Sequence, residues 1–151
     1  MVQMTTAQES KAGIKTPLGR HVILELMEAS RLNDEAYMAQ ALREAATAAR
    51  ATIVHLHTHR FAPQGVSGVA VLAESHISAH TWPEIGYAAF DIYTCGDCDP
   101  EAGARSLSQS FSAGRTNMRL IERGPISADK CKDSPGSDCS KRVFNSRANK
   151  F

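Results

Sequence analysis

"GVSGVAVLAESHISAHTWPEIGYAAFDIYTCG", residues 65–96, decides how this chain folds. Gly65, Ser67 and Gly68 read as a break before an extended piece at Val69–Leu72. A second extended piece runs from His76 to Trp82, where Pro83 stops it, and a third spans Tyr87–Thr94. Links this short favour antiparallel neighbours in one sheet. Working outward, Val22–Leu26 and Thr52–Phe61 are further β-rich runs, and Asn117–Ile121 closes the sheet. Asn33, Asp34 and Glu35 offer an N-cap with acid in the first turn, and Met38, Ala41, Leu42, Ala45 and Ala49 recur at helical spacing to about Arg50. Asp99 as cap and Pro100 at the first helical position open a second helix, with Ala104, Leu107 and Phe111 on one face and Gly114 as its stop. The pattern predicts an α+β fold: a two-layer sandwich whose mostly antiparallel sheet carries both helices on one face. The other face then meets water or a second copy, and the apolar character of both strand faces around residues 86–94 points to a homodimer.

With 151 residues, the chain is long enough for one domain with its own core. The patterned region covers residues 18–123; residues 1–17 read as a flexible extension and 124–151 as a flexible basic tail, with six Lys and Arg against three Asp. A net charge of +1 gives no nucleic-acid footprint, so the expected partner is a small molecule. No stretch has the apolar length of a signal peptide core or a membrane span, which places the expectation in the cytoplasm. In that reducing setting Cys95, Cys98, Cys131 and Cys139 are free thiols, ligands or catalysts before they are disulfides.

Several reactive patterns have bland readings. His55, His57 and His59 alternate and share one strand face with Ile53 and Phe61, yet no carboxylate or cysteine accompanies them at ligand spacing. Cys95-x-x-Cys98 is half of a zinc or redox site whose other half would be Cys131 and Cys139, with seven residues between them in the tail. His76-x-x-x-His80 lacks the glutamate of the helical zinc motif and lies in an extended segment, and Ser67 precedes a strand where a nucleophile elbow precedes a helix. No metal site is expected.

Residues 61–96 carry A-E-S-H-I-S-x-H-T-W-P-E, then G-Y-A-A and T-C-G. This run closely resembles the bacterial S-adenosylmethionine decarboxylase proenzyme family, with a looser likeness from "GRHVILELMEAS" at 19–30 to "IERG" at 121–124. Decarboxylating an amino acid requires an electron sink, supplied by a carbonyl that forms a Schiff base with the substrate amine. The resemblance implies that the chain makes this carbonyl itself. In the family scheme the Ser75 hydroxyl attacks the Glu74 carbonyl, the resulting ester eliminates to leave dehydroalanine at residue 75, and water replaces its nitrogen, released as ammonia, to give a covalent pyruvoyl group at the head of the second chain.

By match to the motif, His80 accepts the Ser75 α-proton, Ser67 supports processing, and Cys95 returns a proton to the substrate after carbon dioxide leaves. Phe61 and Trp82 match positions that hold adenine and attract the sulfonium, and Glu84 one that takes ribose hydroxyls. The implied reaction converts S-adenosylmethionine to the aminopropyl donor of spermidine synthesis. His76 receives no role. Two alternatives share these residues: a pyruvoyl decarboxylase of another amino acid, against which Phe61 and Trp82 speak, and an unprocessed regulatory homologue.

Overall fold

The computed structural model describes residues 16–126. Its elements in chain order are β1 (Thr16–Met27), α1 (Glu35–Ala48), β2 (Ile53–Arg60), β3 (Val66–Leu72), β4 (Ser75–Trp82), a 3-10 turn (Pro83–Ile85), β5 (Tyr87–Cys95), α2 (Pro100–Ser110) and β6 (Arg115–Ile126). One six-stranded sheet has the order β2-β3-β4-β5-β1-β6, and every neighbouring pair is antiparallel.

Alternation along the strands creates two unlike faces. Val22, Leu24 and Leu26 of β1, Ile77 and Ala79 of β4, and Ala88, Phe90 and Ile92 of β5 are buried. They pack with Met38, Ala41, Leu42 and Ala45 of α1 and with Ala104 and Leu107 of α2 into one core. Asp34 caps α1 by accepting from the Tyr37 N–H at 2.9 Å, and Asp99 caps α2 by accepting from the Ala102 N–H at 3.0 Å. Both helices thus cover a single face, as the α+β sandwich predicts.

The opposite face carries no helix. Cross-strand register places all six histidines of the chain on it: His21, His55, His57, His59, His76 and His80. Val69, Val71 and Ile121 lie on the same face and are exposed. Among the described residues no helix is long and apolar enough to cross a membrane.

Three sequence expectations change. The break read at Gly65–Gly68 is shorter, because Ser67 and Gly68 belong to β3. A Cβ at Gly68 would stand 2.8 Å from Leu42, so this glycine marks where α1 lies against the sheet rather than a turn. Ile53 does not share a face with the three histidines of β2. A register shift between Ile53 and His55 absorbs one residue, which leaves Ile53 packed on the core and turns His55 outward. Finally, β1 and β6 pair out to Thr16 and Ile126, two and three residues beyond the 18–123 region read from the pattern. The remaining extension and tail lie outside the described residues.

Candidate active site

The tight link between β3 and β4 is held at both ends of Glu74. Its backbone carbonyl accepts from the Cys95 N–H at 3.2 Å and from the Cys95 thiol at 3.0 Å. Its carboxylate accepts from the Thr52 N–H at 3.0 Å. Two donors converging on one carbonyl oxygen form the arrangement that stabilises negative charge when that carbonyl is attacked. The next residue, Ser75, has φ +149°, a conformation that costs an L-residue about 1–3 kcal/mol. Its half-buried hydroxyl lies 3.4 Å from His76 Nδ1. Glu74, Ser75, His76 and Cys95 therefore meet at one end of the sheet.

A second group forms at the other end. Ser67 and His80 are cross-strand partners, with Oγ and Nδ1 2.8 Å apart. Trp82 stacks on Tyr87 with ring centres 5.2 Å apart, and Phe61 meets His59 at 4.6 Å. Glu84 accepts from Gln64 at 3.2 Å. Phe61 and Trp82 remain 49% and 41% exposed. The two groups sit apart: Ser75 and His80 are five residues along one strand, about 16 Å at roughly 3.3 Å per residue.

Burial pushes the Cys95 thiol above its ordinary 9.0, and the nearby Glu74 carboxylate adds to the rise. Cys98 rises for the same two reasons, and its buried thiol faces the Arg50 carbonyl at 3.6 Å. Both thiols are free. Among the described residues no three His, Cys, Asp or Glu side chains gather as a metal site, and Cys131 and Cys139 lie outside them.

Sequence reasoning missed a polar chain at the centre of the open face. Ser78 donates to Asp91 at 3.1 Å, Asp91 meets His21 Nε2 at 3.1 Å, and Arg123 donates to His21 Nδ1 at 3.0 Å. An arginine has only donors, so Nδ1 of His21 is the acceptor in that contact while Nε2 faces Asp91. These residues come from β4, β5, β1 and β6. Alternation alone assigned each a face, but only register made them neighbours.

Comparison with known proteins gives this geometry a class. The fold resembles the crystal structure of the adenosylmethionine decarboxylase from Aquifex aeolicus, with a TM-score of 0.66 and 33% identity over 74% of this chain and 95% of that one. The chain is thus an α+β sandwich of the decarboxylase kind. The family model for S-adenosylmethionine decarboxylase matches residues 20–124. Proteins named S-adenosylmethionine decarboxylase proenzyme are similar in sequence: that of Prochlorococcus marinus (strain MIT 9313) is 49% identical over 70% of this chain and 87% of its own length. The relative from Synechococcus sp. (strain WH7803) is 44% identical over 83% and 99%, and that from Methanococcus aeolicus 46% over 72% and 96%. The chain belongs to the S-adenosylmethionine decarboxylase family, a family of enzymes.

Proposed function

We propose that this chain cleaves itself between Glu74 and Ser75, and that the cleaved form decarboxylates S-adenosylmethionine to the aminopropyl donor used in spermidine synthesis. The observation that carries the reading is the double grip of Cys95 on the Glu74 carbonyl beside a strained Ser75. Attack by the Ser75 hydroxyl closes a five-membered ring on that carbonyl, and both Cys95 donors already point at the oxygen that becomes negative. Opening of the ring leaves an ester in place of the amide and frees the strained peptide link. Loss of the α-proton and departure of the Glu74 carboxylate then divide the chain.

These residues suit a pyruvoyl group at position 75. Such a group supplies a carbonyl that condenses with the substrate amine and takes up the electron pair left by carbon dioxide. Cys95, its thiol kept protonated by burial, holds the proton that the substrate carbon receives. Phe61 and Trp82 offer faces for adenine and the sulfonium, and Glu84 a carboxylate for ribose hydroxyls. A reducing, cytoplasmic setting suits a working thiol.

The 16 Å between Ser75 and His80 sets a further condition. Within one chain, His80 cannot reach the Ser75 α-carbon. Two copies whose open faces stack with strands reversed bring Ser75 and Cys95 of each against Ser67, His80, Phe61, Trp82 and Glu84 of the other. The active form is accordingly a homodimer with two composite sites.

Intact mass under denaturing, reducing conditions tests the reading. Two pieces, residues 1–74 and 75–151, are expected, the second carrying a pyruvoyl terminus that resists Edman sequencing. Ser75→Ala is expected to leave one chain; cleavage of that variant would refute the assignment.

A further inference from the structure

We propose that His76 takes the proton from the Ser75 hydroxyl as that hydroxyl attacks the Glu74 carbonyl. The inference rests on the self-cleavage reading and adds a catalytic residue to it. His76 Nδ1 is the one side-chain partner of Ser75 Oγ among the described residues, at 3.4 Å. That contact is long for a hydrogen bond, and catalytic contacts of this kind tighten as the reaction begins. The ring is held in place from two sides: its centre lies 6.0 Å from Tyr93 and 6.4 Å from His21, both edge to face. The proposal uses the tautomer with its hydrogen on Nε2, in which Nδ1 accepts from the hydroxyl.

Within its own chain His80 is out of reach of this hydroxyl, and in the composite site the neighbour's His80 is the base for the α-proton. Its Nδ1 is engaged by Ser67, and it lies five residues down the strand. Self-cleavage moves two different protons, one from the hydroxyl and one from the α-carbon, and the two histidines divide them. In the first transfer, the Oγ–H proton passes to His76 Nδ1 while the Oγ–carbonyl bond forms and the carbonyl electrons move onto oxygen, between the two Cys95 donors. Collapse breaks the carbon–nitrogen bond, and the proton on His76 passes to the departing nitrogen. The amide has become an ester with a free amine, with no other reactant consumed. The second transfer, at the α-carbon, waits for His80.

The two assignments predict different trapped species. Freshly synthesised parent, His76→Ala, His76→Gln and His80→Ala chains are followed by intact mass with and without hydroxylamine, which splits esters and spares amides. The parent is expected to cleave. His80→Ala is expected to stop at the ester and be split by hydroxylamine. Both His76 variants are expected to cleave at least a hundredfold more slowly and to stay whole in hydroxylamine, with added imidazole restoring cleavage to His76→Ala. His76→Gln keeps a polar side chain of similar reach; if His76→Ala misfolds, the glutamine variant decides. Cleavage of a folded His76 variant at the parental rate, or an ester trapped in it, overturns the proposal and leaves self-cleavage standing. A parent chain that never cleaves overturns the self-cleavage reading itself.

Discussion

A thiol that must give up a proton works only while it still holds one. Burial and the Glu74 carboxylate both raise the Cys95 thiol above 9.0, which suits the donor role proposed for it at neutral pH. Decarboxylation is therefore expected to hold level through pH 8 and to fall only as pH climbs through the raised value; a rate already falling between pH 7 and 8 would remove Cys95 from the donor role. For Cys95→Ala, turnover should be largely lost while self-cleavage persists, slowed by roughly a hundredfold because the backbone N–H still faces the Glu74 oxygen. Mass spectra and carbon dioxide release, read on the same sample, separate the two effects. The sequence motif named Ser75 and Cys95, but not their meeting through the Glu74 carbonyl. They are twenty residues apart, and only the pairing of Ser75 with Thr94 makes them neighbours. His76 stayed mute in the sequence for the same reason, since its value depends on which atom its ring faces.

Elements were legible wherever periodicity and caps agreed. Asp34 and Asp99 announced both helices, whereas β5 read as apolar on both faces, and only the structure shows Ala88, Phe90 and Ile92 as its inward set. Glycines were harder to read, because a residue without a side chain signals a turn and a close approach alike. At Gly103 it is close approach: an added Cβ would meet the Ala45 carbonyl at 3.1 Å and Ala49 at 3.3 Å, so α2 rests almost directly on the backbone of α1. Gly103→Leu is expected to wedge the helices apart and lower stability by about 1–3 kcal/mol, seen as an earlier urea midpoint. An unchanged midpoint would show that the helix pair yields freely. The ends of β1 and β6 were not legible, since their last pairs depend on each other rather than on local pattern.

At the scale of the whole molecule, the open face was visible in the sequence as an apolar surplus, but its two separate groups were not. The motif reads as a single site because Ser75 and His80 stand close in the text; in an extended strand that closeness is about 16 Å. Co-expression of Ser75→Ala with His80→Ala chains tests the composite arrangement. Neither variant should cleave alone, whereas in the mixed dimer the chain that lacks His80 should be cut with the help of its neighbour's histidine. Failure of the mixed sample to cut, with dimers present, would place the whole site within one chain. The strand order carries a last consequence. A cut before Ser75 leaves β1, β2 and β3 on one piece and β4, β5 and β6 on the other. Because β1 runs between β5 and β6, and β3 pairs with β4, the pieces are threaded together along three seams. The finished enzyme stays assembled without a covalent join. Once melted, however, it has become two independent molecules that must find each other, so recovery turns second order and dilution works against it. On the proposed cleavage, the uncut precursor refolds as one molecule, whereas the cut form has given up that route and its maturation is a one-way passage.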